Sequence, residues 1–192
     1  MDNEKLLRRI FHMSAIVFLF YYLLPDNLWI DFPKNLAVLI VLMFILFIEI
    51  FRLSTRKIFF GLRENEKVRM ASYAWAALGL SIGFIFFPMK YVVPVIIGMA
   101  IVDPLIGELR NSKYKNLYPI LPFAVYALIL FIFLFQFSQS PLLILFALVG
   151  SFVALAVEFP KIKYIDDDFL LIFVPLAFLC GFELLLKNIN WL

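Results

Sequence analysis

An all-α, polytopic integral membrane protein with about seven transmembrane helices is the fold class this sequence predicts, and three observations predict it. Of the residues, 65% are hydrophobic and 16% charged, with a mean hydropathy of +0.99, whereas a soluble domain is typically about 45–50% apolar. Apolar runs close to the ~20 residues that cross a hydrocarbon core recur along the chain, at roughly 7–24, 32–51, 70–88, 91–109, 117–137, 141–158 and 169–186. The cationic residues, finally, collect in alternate connections between those runs.

Taken in order, the first run has a basic start, as a secretory signal would, but ends in Tyr21-Tyr22-Leu23-Leu24-Pro25 without a small-residue cleavage pattern, so it reads as a retained first span. Pro25-Asp26-Asn27, Pro88, Pro119, Ser138-Gln139-Ser140-Pro141 and Pro160 punctuate the ends of the runs, where backbone can leave the helix outside hydrocarbon. Gly79 and Gly83 place a Gly-x-x-x-Gly in the third run, which lets another helix approach closely. Of the 17 lysines and arginines, only Lys34, Lys90 and Lys187 fall on one side. The rest, including Arg52, Arg56, Lys57, Arg63, Lys67 and Arg69 after the second span and Arg110, Lys113 and Lys115 after the fourth, share the other. The positive-inside rule then puts the N-terminus in the cytoplasm and the C-terminus outside. No soluble domain, low-complexity tract or repeat of the kind that marks transporter halves interrupts residues 1–192, which read as a single transmembrane domain.

Composition also excludes. One cysteine, Cys180, leaves no intrachain disulfide and no cysteine metal site, and one histidine leaves no multi-histidine metal centre. Neither Gly-x-x-x-x-Gly-Lys-Ser/Thr nor His-Glu-x-x-His occurs. The net charge of +3 follows from membrane topology and is no sign of a nucleic-acid partner.

Ionisable groups inside apolar runs are expensive, so each is a functional candidate unless it reaches the interface. His12 lies about one turn into the first run, where a histidine can also simply be solvated. Glu49 and Arg52 are three apart and can pair on one helical face, a structural reading as good as a functional one; Arg63 and Glu66 stand in the same relation. Asp103, in Gly98-Met-Ala-Ile-Val-Asp103-Pro104-Leu-Ile-Gly107, lies more than a turn inside its run and needs a partner, water or a metal. Pro104 and Gly107 allow the helix to break there onto a wet cavity. Glu158 and Asp166-Asp167-Asp168, facing the same side, suit a hard cation such as Mg²⁺ carrying a phosphorylated ligand, with the loop arginines and lysines holding its phosphates. Acidic residues opening a helix also complement its dipole. Glu183 lies across the bilayer from these groups and reads as interfacial.

Placed in order, Arg8-Arg9-Ile-Phe-His12, Glu49-Ile-Phe-Arg52, Arg63-Glu-Asn-Glu66, Asp103-Pro-Leu-Ile-Gly107 and Glu158 followed by Asp166-Asp167-Asp168 resemble the CTP-dependent polyprenol kinases, a group that includes dolichol kinase, phytol kinase and the CTP-using diacylglycerol kinase. The resemblance runs from residue 8 to about 175. It implies transfer of the γ-phosphate of CTP to a polyprenol or related lipid alcohol at the cytoplasmic membrane surface, with Mg²⁺ on Asp103, Glu158 and Asp167. It further implies the CTP phosphates held by Arg9, Arg52, Arg63, Glu66, Arg110 and Lys113, and His12 with Asp103 at the reacting groups. Two elements depart from the family pattern: a Lys-Thr/Ser-x-x-Gly-Ser stretch is replaced by Asn111-Ser-Lys113-Tyr-Lys115-Asn116, and an Asp-Asn closely followed by proline appears as Asp167-Asp168 with Pro175 further on. The rivals are a CTP:lipid-phosphate cytidylyltransferase, which would release pyrophosphate, and a transporter or scaffold. A transporter should line a path through the midplane with polar groups, yet spans two, five and seven are almost purely apolar there.

Overall fold

A computed structural model describes residues 12–29, 31–57, 62, 64–137, 140, 142–158 and 165–188. Each predicted apolar run forms a helix. In order they are α1 (His12–Leu23), α2 (Lys34–Thr55), α3 (Ser72–Phe86), α4 (Met89–Arg110), α5 (Ile120–Phe135), α6 (Leu142–Ala156) and α7 (Asp167–Asn188). From Ala15 to Leu23, α1 is wound as a 3₁₀-helix. Helices α2, α4 and α7, at 22 residues each, are long and apolar enough to cross a membrane, since 22 residues at 1.5 Å per residue reach about 33 Å. The other four are apolar but shorter; the 15 residues of α3 and α6 reach only about 22 Å. Prolines set several of these limits. Pro88 separates α3 from α4, and Pro119 precedes the first residue of α5, because a proline lacks the donor a continuing helix needs and its ring is tolerated at a helix start.

One element goes beyond the all-helical prediction. Between α1 and α2, strands β1 (Asn27–Trp29) and β2 (Phe32–Pro33) form a small antiparallel hairpin. Its turn holds Asp31 at φ 58°, a left-handed conformation that short polar side chains tolerate. A second difference lies in α4, which runs unbroken through Pro94 and Pro104. Neighbours on several sides, α1, α5 and α7 among them, pack against it where its sequence allows a break.

The core gathers around α4 and α7: α4 meets α1, α3, α5 and α7, and α7 also meets α3 and α6. Small residues let the backbones close up. A Cβ on Gly79 or Gly83 would stand 3.3 Å from Ile172 or Leu176 of α7, which makes α3–α7 the close approach that the Gly-x-x-x-Gly spacing predicts. Helix α2 is peripheral and leaves Phe44, Phe47, Ile50 and Phe51 exposed. So many large apolar side chains on the outside suit lipid better than water.

The two ends of the bundle differ in charge. At one, Glu183 accepts from Lys90 Nζ (2.7 Å) and Tyr91 Oη (2.8 Å) and pairs with Lys187 (2.8 Å). Glu183 thus ties α4 to α7. At the other end stand nearly all the residues singled out in the sequence.

Candidate functional site

Three helices bring the histidine and its acids together. His12, at the start of α1 and only 7% exposed, has Nε2 3.3 Å from Asp103 Oδ2 on α4 and Nδ1 3.6 Å from Asp168 Oδ1 on α7. An imidazolium has an N–H on each ring nitrogen, one facing either acid, although the Asp168 contact is longer than a hydrogen bond and leaves Asp168 Oδ1 without a hydrogen-bond donor among the described residues. Helical phase explains why Asp168, and not Asp167, takes this position. Asp168 shares a stripe with Leu171, Ile172, Pro175, Leu176 and Leu179, all buried, whereas Asp167 falls on the exposed flank.

On the other side of Asp103 lies a cavity with room for about one water, lined by Asp103, Val102 and Ile106 of α4, Tyr126 of α5, Leu155 and Glu158 at the end of α6, and Leu171 of α7. Glu158 Oε1 pairs with Arg110 Nη1 at 2.9 Å, while Oε2 is buried without a hydrogen-bond partner. Arg110 also donates to Tyr118 Oη at 2.6 Å and lies over the Tyr118 ring. Gly107, one turn beyond Asp103, borders open space: a Cβ there would meet nothing within 4 Å. Lys113 is exposed, beside the Tyr114 ring.

A second network, built on α2 and α3, corrects the role expected of Arg52 and Glu66. Arg52 is fully buried, with Nε and Nη2 donating to the two carboxylate oxygens of Glu49 (2.7 and 2.6 Å), Nη1 to Glu66 O (2.7 Å) and Nη2 also to Arg69 O (2.8 Å). Glu49 in turn accepts from the Ala71 amide (2.7 Å) and Tyr73 Oη (2.6 Å). Arg52 therefore holds the 66–71 stretch against α2 and presents no free edge to a phosphate. Glu66 accepts from the Ser72 amide and hydroxyl at 2.9 and 2.8 Å, satisfying an amide at the start of α3 that has no partner within the helix. A carboxylate so used caps the start of α3. The structural reading of the Glu49/Arg52 spacing is the one realised.

The two networks meet at Asp166. Its Oδ2 lies 3.2 Å from Ser72 Oγ, and its Oδ1 accepts from the Asp168 amide at 3.3 Å, fastening the first turn of α7. Burial, together with the neighbouring Asp167 charge, holds the Asp166 carboxyl above its ordinary value. Sequence reasoning did not single out Ser72, Tyr73 or Tyr118. The first opens an apolar helical run, which is a readable capping signal; the tyrosines carry no local mark of their partners.

The expected metal set of Asp103, Glu158 and Asp167 is not assembled as three converging ligands. Among the described residues no three acidic, histidine or cysteine side chains are grouped to hold a metal ion; Asp103 lies beside His12 and Glu158 pairs with Arg110. Mg²⁺ commonly takes one or two carboxylates and completes its shell with water and substrate phosphates. Asp103 and Glu158 on one cavity, with an unpartnered buried Glu158 oxygen, fit that smaller demand. Arg9 and Arg63 lie outside the described residues. No family model, curated protein or solved structure matches this chain.

Proposed function

We propose that the chain is a membrane lipid kinase that transfers the γ-phosphate of CTP to the hydroxyl of a polyprenol or related isoprenoid alcohol. In this reading all seven helices cross or enter the bilayer and the His12 end faces the cytoplasm. The observation that carries it is convergence: His12, Asp103, Glu158 and Asp168 come from four segments, yet gather at one end of the bundle, with Asp103 beside His12 and on the same cavity as Glu158, and Asp168 on the far side of the imidazole. That end also carries the cations Arg110 and Lys113. A lipid alcohol in a bilayer places its hydroxyl at such an end.

Phosphoryl transfer relies on positioning and charge neutralisation, without a covalent nucleophile on the protein. Asp103 accepts a hydrogen bond from the alcohol and orients its oxygen toward the γ-phosphorus. The new O–P bond forms as the bond to the β–γ bridging oxygen breaks, CDP departs, and the hydroxyl proton passes to the Asp103/His12 pair. Asp168 keeps the imidazole in place from its other nitrogen. Arg110 and Lys113 contact the phosphates, Arg110 by exchanging part of its contact with Glu158. Mg²⁺, held by Asp103 and Glu158, would neutralise phosphate charge.

The test is incubation of the purified protein in detergent with Mg²⁺ and a polyprenol, comparing γ-labelled with α-labelled CTP and following label into lipid. Label from the γ position alone is the expected result. Label from the α position with a lipid phosphate as acceptor would replace the reading with a cytidylyltransferase. Absence of transfer to either acceptor would refute both.

A further inference from the structure

Three described arginines at the His12 end have settled places: Arg52 is buried in its four hydrogen bonds, Arg110 is divided between Glu158 and Tyr118, and Arg56 is exposed at the end of α2. Arg69 differs from all of them. It is half-buried, its side chain 31% exposed, and its guanidinium makes no hydrogen bond among the described residues. The nearest acceptor, Asp166 Oδ2, is 3.8 Å from Nη2, beyond hydrogen-bond distance. Its Nε is buried and unsatisfied, an arrangement that costs free energy unless another group supplies an acceptor. Its backbone, in contrast, is pinned, since the Arg69 carbonyl is one of the two held by Arg52.

We propose that Arg69 contacts the phosphoryl oxygens of the bound nucleotide and that Arg52 is the positioning residue that places it. The proposal rests on the kinase reading for the identity of the ligand. A guanidinium with open donors, anchored through its own main chain and set beside the first turn of α7, is suited to the planar, paired recognition of phosphate. Asp166 acts as its counter-ion in the empty site. When phosphate arrives, Arg69 leaves that loose contact for a shorter charge-assisted one, and its side chain rotates so that Nε also gains an acceptor. Arg69 thereby takes the role that the family resemblance implies for Arg52.

Phosphoryl oxygens reach a membrane surface from two sources, a free nucleotide and a phospholipid headgroup, and the test separates them. Binding of Mg²⁺-tripolyphosphate to the full-length protein in detergent is measured by calorimetry, beside binding to nanodiscs with and without phosphatidylglycerol. Arg69→Ala should weaken tripolyphosphate binding about 10- to 100-fold with an unfolding midpoint close to wild type. Arg69→Lys should recover part of that loss, and Asp166→Asn, which removes the competing acid, should tighten binding severalfold. Unchanged affinity in folded Arg69→Ala or Arg69→Lys would overturn the proposal, as would an effect confined to phosphatidylglycerol or a wild-type protein that binds no tripolyphosphate. Failure of the kinase reading looks different: tripolyphosphate binds in an Arg69-dependent manner, yet no label moves from CTP to lipid.

Discussion

Arg52→Ala separates a structural arginine from a ligand-binding one. The wild-type guanidinium is 0% exposed and donates four hydrogen bonds of 2.6–2.8 Å, two to Glu49 and one each to the Glu66 and Arg69 carbonyls. Truncation leaves a Glu49 carboxylate, 2% exposed, without its countercharge, and deprives two carbonyls of donors. Breaking a buried pair by removing one partner costs about 3–5 kcal/mol, a large part of the ~5–15 kcal/mol that holds a typical domain. Equilibrium unfolding in detergent reads the loss, and hydrogen exchange at the Ala71 amide, which donates to Glu49 at 2.7 Å, should accelerate with it. Glu49→Leu/Arg52→Met should recover part of the stability, since no charge is left buried, but not all of it, because the Ala71 amide, Tyr73 hydroxyl and two carbonyls still lose partners. Should Arg52→Ala unfold within about 1 kcal/mol of wild type while losing tripolyphosphate binding, the staple would be refuted and Arg52 returned to the phosphates.

Asp103→Asn keeps the shape of the side chain and removes its charge beside His12; turnover should fall by at least about 100-fold with the helical circular dichroism unchanged, and retained turnover would remove Asp103 from the reaction. Two glycines of α4 should respond in opposite directions. Gly98→Ala drives a Cβ to 2.7 Å from the Tyr126 ring and should cost about 1–3 kcal/mol by overpacking, while Gly107→Ala, with open space around it, should raise the unfolding midpoint through helix propensity worth up to about 1 kcal/mol. At the opposite end, Glu183→Ala leaves the buried Tyr91 hydroxyl and Lys90 without their acceptor. That should lower stability by roughly 1–3 kcal/mol with tripolyphosphate affinity unchanged; a joint loss of both would show that the two ends are coupled.

What the sequence by itself determined is what local chemistry encodes. The apolar runs set the number and order of the helices, because a segment with no polar partners nearby must satisfy its own backbone. Prolines marked the breaks, and the three-residue spacing of Glu49 and Arg52 sufficed to pair them on one helical face. Asp103 stood out because an acid more than a turn inside an apolar run must find a partner.

Only the tertiary structure decided which partner each group took. Asp103 met His12, distant in sequence, and Asp168 rather than Asp167 completed the trio because core packing fixed the rotation of α7. Arg52 faced main-chain carbonyls from a connection whose path no periodicity records, so its burial was not legible, nor was the looseness of Arg69 beside Asp166. The two arginines carry the same charge in the same basic stretch. What divides them is the count of acceptors within reach, a property of the packed helices and not of the residues.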